Sequence, residues 1–144
     1  MAAREYLGLF ARLQGIPSAK RDSTVESHLQ LVNLTGVERR AIGGFSKGMT
    51  QRLGIARALL HDPKVVFFDE PASGLDPTGR REIRVLLQDL AKEGRPVFLC
   101  SHHLADVQAV GKRIGLLRTG TLVKVTAPGE CGGARPRVPA EHEG

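Results

Sequence analysis

Four apolar residues, Val65-Val66-Phe67-Phe68, run straight into two adjacent carboxylates, Asp69-Glu70, and then Pro71. Two β-branched and two aromatic residues in so short a run predict a buried strand rather than a helix. In an α/β sheet, ligands bind at the carboxyl ends of the strands, so the two acids are expected at a functional edge. Neighbouring strand residues point to opposite faces, which gives Asp69 and Glu70 different roles. One acid can serve a metal and the other a nucleophile. The pair also admits a plainer reading, a polar turn opening before Pro71, and only the neighbouring segments decide between them.

A chain of 144 residues has room for one domain. With 41% hydrophobic and 25% charged residues, it has the balance of a folded protein and not of a disordered one. The net charge is +6, but the basic residues are interspersed with acids, and the only aromatics are Tyr6 and five phenylalanines. A nucleic-acid surface is therefore not expected. Cys100 and Cys131 lack metal or redox spacing, and Cys100, after Val97-Phe98-Leu99, reads as a reduced core thiol. No apolar run approaches the roughly 20 residues needed to cross a bilayer, and the N-terminus lacks a signal-peptide core. A soluble, cytoplasmic chain is expected.

From the N-terminus, Arg4 to Gln14 carries Tyr6, Leu9, Phe10 and Leu13 at helical spacing, and Gly15-Ile16-Pro17 stops that helix. Ser23-Thr24-Val25-Glu26 reads as a capping box opening a second helix, with Val25, Leu29 and Val32 on one face and an end near Thr35-Gly36. Gly43-Gly44-Phe45-Ser46-Lys47-Gly48-Met49-Thr50 then leads into a third helix that buries Leu53, Ala56, Leu59 and Leu60. A glycine-rich loop entering a helix N-terminus is a ready anion site, with Ser46 adding a hydroxyl and Lys47 a cation. It is equally readable as a turn that only caps the helix. Gly43, Gly48, Met49 and Thr50 have the spacing of a P-loop, but Met49 replaces the lysine and Glu38-Arg39-Arg40 precedes the loop in place of a strand, so a P-loop is rejected.

Beyond the two acids, Ala72-Ser73-Gly74-Leu75-Asp76-Pro77 reads as a polar turn before a helix from about Gly79 to Lys92. Ile83, Leu86, Leu87 and Leu90 stripe its buried face; Arg80, Arg81, Arg84 and Asp89 are expected to face water. Val97-Phe98-Leu99-Cys100 is expected as a second buried strand, ending in Ser101-His102-His103. Strand, helix and strand make a parallel βαβ unit, which places His102 or His103 near Glu70. A short helix over Ala105–Val110 and a hairpin through Arg118-Thr119-Gly120 follow, and a largely disordered tail is expected from Thr126 to Gly144.

In this order the pieces resemble the ATP-binding subunit of an ABC transporter. Phe45-Ser46-Lys47-Gly48-Met49 with Gln51-Arg52 is similar to the family's signature loop, in an S-K-G-M form. Val65 to Glu70 resembles a Walker B strand and its catalytic glutamate, Ser73-Gly74-Leu75-Asp76 resembles the D-loop, and Ser101-His102 resembles the switch (H-loop) histidine. The implied fold class is α/β: part of a P-loop NTPase domain, with a helical signature subdomain (1–60), an α/β part with parallel strands and a C-terminal hairpin (61–125), and the tail (126–144). The resemblance covers residues 2–125 and only the later part of the family's domain. The chain is thus expected to be a C-terminal fragment without the Walker A P-loop and the Q-loop.

The resemblance also implies roles. Two such domains pair head to tail with ATP between one P-loop and the opposite signature loop. Ser46, Lys47 and Gly48 would bind the nucleotide, and Asp69 would bind Mg²⁺ through water. Glu70 would act on the attacking water, His102 would contact the γ-phosphate, and Ser73 and Asp76 would link the two halves. ATP and Mg²⁺ are the implied cofactors. The implied partners are a second ATP-binding subunit and transmembrane permease subunits, with the chain on the cytoplasmic face of the membrane, and an exporter or multidrug type is suggested by the S-K-G-M form and the opening segment. ATP hydrolysis that powers transport is the first functional expectation. A catalytically inactive module that binds a full-length subunit is the alternative, and the isolated chain is expected to be inactive for want of a P-loop.

Overall fold

The computed structural model describes residues 1–130; residues 131–144, which hold Cys131 and most of the expected tail, lie outside the described residues. Three helices come first: α1 (Ala3–Leu13), α2 (Ser18–Leu31) and α3 (Lys47–Leu59). Strand β1 (Val66–Asp69), helix α4 (Pro77–Lys92) and strand β2 (Val97–Cys100) form the parallel βαβ unit, with Val66 opposite Val97 and Asp69 opposite Cys100. Helix α5 (Leu104–Val110) and the antiparallel hairpin β3 (Ile114–Arg118) and β4 (Thr121–Thr126) follow. Thr119 and Gly120 at the hairpin tip both have positive φ, 46° and 78°, as a two-residue turn with the twist of its strands requires.

One apolar core joins the helices to the inner face of the strands. Leu7, Leu29, Leu34, Ile83, Leu87 and Leu90 are its largest fully buried side chains. The α4 stripe of Ile83, Leu86, Leu87 and Leu90 is buried as its spacing predicts. In α1 the buried face is Ala3, Leu7 and Ala11, not the larger set at Tyr6, Leu9, Phe10 and Leu13. Tyr6 and Phe10 lie at the core's margin, while Leu9 and Leu13 are exposed. Ala3 and Ala11, on either side of the buried Leu7, let α2 and α3 approach closely, and that contact selects the face.

Helix α2 starts five residues before the expected capping box. Pro17 takes the N-cap position, and Ser23 lies within the helix, its hydroxyl donating to the Lys20 carbonyl. Glu26 pairs with Arg4 of α1 instead of reaching back to its own helix. Val25, Leu29 and Val32 are buried as expected.

Neither strand is buried on both faces. In β1, Val66 and Phe68 point into the core, whereas Phe67 is 73% exposed; in β2, Phe98 is 55% exposed and Cys100 is an exposed free thiol. Alternation along each strand sends every second side chain outward, and nothing among the described residues covers that face. The two outward phenylalanines stack on one another, ring centroids 4.8 Å apart.

Thr126 ends β4 with a buried side chain, and a 3₁₀ turn at Pro128–Glu130 continues the chain over α5, where the Gln108 amide donates to the Pro128 carbonyl. No helix among the described residues is long and apolar enough to cross a membrane.

Candidate functional site

The two acids occupy the carboxyl edge of the parallel pair, as the βαβ reading requires. Asp69 is exposed and has no hydrogen bond or ion pair among the described residues. Glu70 leaves the strand with φ 47°, a left-handed backbone that costs a non-glycine residue roughly 1–2 kcal/mol. Its N–H still donates to the Cys100 carbonyl at 2.9 Å, so the last bond of the sheet fixes where the side chain departs.

The Glu70 carboxylate is held almost entirely by the end of the neighbouring strand. His102 Nδ1 donates to Glu70 Oε1 at 2.7 Å and the His102 N–H donates to the same oxygen at 2.8 Å. Ser101 Oγ reaches Oε2 at a long 3.4 Å and accepts from the His103 N–H at 3.1 Å. The His102 side-chain bond holds the Glu70 carboxyl below the ordinary glutamate range, with the His102 backbone N–H acting in the same sense. An ionised carboxylate has no proton to donate, so the proton shared with His102 sits on Nδ1. Carboxylate and imidazole both remain open to solvent, the His102 side chain by 67% and that of Glu70 by 32%. Such a pair can accept a proton from water and present a ring nitrogen to an anion.

A second cluster lies at the start of α3. Arg4 N–H donates to the Glu38 carbonyl and Ile42 N–H to the Met1 carbonyl, which tie the loop before Ser46 to the N-terminal segment. Ser46 is the N-cap, and its hydroxyl accepts from the Met49 N–H at 3.2 Å. Ser46 and Lys47 are exposed, and Gly48 is half-buried. A Cβ at Gly48 would meet only Leu75 Cδ2 at 3.9 Å, an ordinary contact. Packing therefore does not demand glycine there, although glycine costs a helix up to about 1 kcal/mol relative to alanine.

The turn over 72–76 joins the two clusters. Gly74 has φ 68°, and a Cβ there would run into the Lys47 ammonium, which lies over the turn. Ala72 and Leu75 are buried. Ser73 is exposed, and its backbone N–H donates to the Glu70 carbonyl. Asp76 caps α4, its side chain accepting from the Gly79 N–H at 3.2 Å, so α4 begins at Pro77, two residues earlier than its spacing predicts. No hydrogen bond or ion pair connects Ser46, Lys47 or Gly48 to Glu70 or His102 among the described residues.

Two arginines expected in water face the site instead. Arg80 Nε donates to the Leu75 carbonyl at 3.3 Å and Arg80 Nη2 approaches His103 Nε2 at 3.1 Å; Arg84 pairs with the buried Asp106 at 3.6 Å. Arg80 and Ser101 carried no expected role. The available signal was spacing: Arg80 and Arg84, four apart near the start of α4, share the face that runs along the carboxyl edge.

No group of three or more histidine, cysteine or acidic residues among the described residues could by itself enclose a metal. A lone free carboxylate at Asp69 suits Mg²⁺, which keeps several waters and takes one or two carboxylates beside phosphate oxygens.

Residues 2–73, half of the 144-residue chain, match the ABC transporter family. The chain is 39% identical to "ABC transporter A family member 11" of Arabidopsis thaliana over 85% of its own length and 13% of that protein's. It is 39% identical to "Bacitracin transport ATP-binding protein BcrA" of Bacillus licheniformis over 86% of its length and 40% of that relative's. With "ABC transporter ATP-binding protein NatA" of Bacillus subtilis it shares 36% identity over 85% of its length and 50% of that relative's. The chain thus spans half or less of the length of these relatives. The matched segment includes the signature-like loop and both strand-end acids, and with the parallel βαβ unit it makes the chain a partial ATP-binding domain: the chain belongs to the ABC transporter family.

Proposed function

We propose that the chain serves ATP binding and hydrolysis within an ABC transporter, as one face of a nucleotide site shared with a second ATP-binding subunit. The observation that carries this reading is the Glu70–His102 pair, an ionised carboxylate clamped at a strand end, with the uncommitted Asp69 beside it. Phosphoryl transfer needs positioning and charge neutralisation more than covalent chemistry, and these side chains supply both. Glu70 orients the attacking water and accepts its proton. His102, held against that carboxylate, would turn its other ring nitrogen toward the γ-phosphate. Asp69 would hold Mg²⁺, which when bound would supply neutralising charge. The exposed start of α3 presents Ser46, Lys47 and the backbone of Gly48 to phosphate on the partner, and Ser73 and Asp76 lie where the two subunits meet. The permease places the assembly on the cytoplasmic face of the membrane. The S-K-G-M loop favours an exporter-type system, and the relative named for bacitracin transport supports a transport role.

No Gly-x-x-x-x-Gly-Lys-Ser/Thr segment occurs in the 144 residues. Phosphate must then be cradled elsewhere, and this chain alone does not turn ATP over. The test is co-purification with a full-length ATP-binding subunit of the family, with and without ATP and Mg²⁺. Association that requires nucleotide is the expected result. Gly48→Asp should abolish it without unfolding the chain: a carboxylate at a helix N-terminus suits the dipole, the site has room for it, and it repels phosphate. Association indifferent to nucleotide would favour the alternative, a non-catalytic module that occupies a full-length subunit.

A further inference from the structure

Arg80 lies beside the proposed catalytic pair and reaches it by a traceable route. A guanidinium has five N–H donors and no acceptor, so in the 3.1 Å contact Arg80 Nη2 donates and His103 Nε2 carries no proton. The neutral His103 ring is therefore protonated at Nδ1. That ring packs on His102, centroids 4.0 Å apart and planes tilted by 39°, and His102 Nδ1 donates to Glu70. The other arm of Arg80, Nε, holds the Leu75 carbonyl of the 72–76 turn. That turn is the one on which Lys47 and Gly48 rest. The planar fork of arginine is what allows one side chain to hold both contacts; a lysine has a single nitrogen on a flexible stem.

We propose that Arg80 is a positioning residue. By fixing the His103 tautomer and ring, it sets the orientation in which His102 meets Glu70, and through Leu75 it ties that orientation to the turn beside the signature-like loop. A displacement of the turn then moves the histidine pair, and with it the carboxylate. The proposal rests on the reading of Glu70 and His102 as the water-facing pair. The other charged groups along this face are Asp76, which caps α4, and Arg84 with Asp106, which are paired with each other.

The test is histidine-ring nitrogen–proton correlation by NMR on the ¹⁵N-labelled full chain at neutral pH. Wild-type protein should show His103 as the Nδ1–H tautomer and His102 with a proton on Nδ1. Arg80→Ala should lose the Nδ1–H form of His103 as the dominant species and lose the His102 Nδ1–H proton signal to solvent exchange, with helical circular dichroism unchanged. Arg80→Lys keeps the charge but cannot hold both contacts, so the His103 signature should weaken there as well, and it serves if the alanine variant does not fold. An Nε2–H tautomer for His103 in the wild type overturns the proposal, as do wild-type ring signatures in either variant. The readout uses no nucleotide. Failure of the ATP reading would appear as nucleotide-independent association with the ring signatures intact, and failure of the Arg80 proposal as the reverse.

Discussion

The first sixty residues and the strand pair bury their apolar side chains to very different degrees. In the three-helix part, Leu7, Leu29, Val32, Leu34 and Ala56 are at most 1% exposed, and each helix packs on the other two. In the strand pair, only the inner side chains Val66 and Phe68 are buried, and Val65, Phe67 and Phe98 form an open apolar face. Parallel sheets are normally covered on both faces, and two strands alone are marginal in water. The helical part is thus close to self-sufficient, whereas the sheet is supported from one side. Glu70 and His102 emerge from the edge of that one-sided sheet.

That contrast can be broken most forcefully in the helical part. Leu29→Ala should cost about 2–5 kcal/mol of unfolding free energy, read by urea denaturation, because it empties a closed site between helices. Removing one helix cap from each region is expected to cost about 1 kcal/mol apiece, Ser46→Ala for α3 and Asp76→Ala for α4. A much smaller loss at Asp76 would show that α4 is held by its buried stripe alone. On the open face, Phe67→Thr keeps a strand-forming residue and should change stability by no more than about 0.5 kcal/mol while lowering the binding of apolar dyes. A cost at Phe67 equal to that at Leu29 would erase the contrast.

The smallest expected effect is acid dependence at the site. The His102 bond lowers the Glu70 carboxyl in the folded chain, so its contribution is complete above the ordinary glutamate value and is lost as pH falls through the lowered one. Following the His102 ring signals against pH should show the contact dissolving only on that acid side. Glu70→Gln should remove the dependence.

Much of this was legible from the chain itself because the relevant rules are topological. A strand, a helix and a strand of matched length usually return parallel, so the end at Ser101-His102-His103 was expected beside Glu70, while order did not choose between the two histidines. The stripe on α4 was readable for the same reason that any single-faced helix is. What spacing could not show was which of two competing faces a partner would select. In α1 the alanines at positions 3 and 11 are buried in place of the larger side chains, since close approach of α2 favours them. The exposure of Phe67, Phe98 and Cys100 is likewise set by what lies against the sheet, which no local pattern encodes. Arg80 and Arg84 looked like solvated charges because arginine usually is one; their carbonyl, histidine and carboxylate partners come from three different segments. Ser23-Thr24-Val25-Glu26 fits a capping box in composition, yet the helix starts at Ser18 with Pro17 at the N-cap and no side-chain cap hydrogen bond, so no capping signal marks where it begins.

At the centre of the account is the proposal that the Glu70 edge, with no phosphate-binding loop among these 144 residues, does not turn ATP over by itself. Phosphate release from ATP and Mg²⁺ by the purified 144-residue chain, with Glu70→Gln as its control, tests that most directly. The account predicts no turnover that depends on Glu70 in the chain alone. Steady hydrolysis by the wild type that Glu70→Gln abolishes would contradict it.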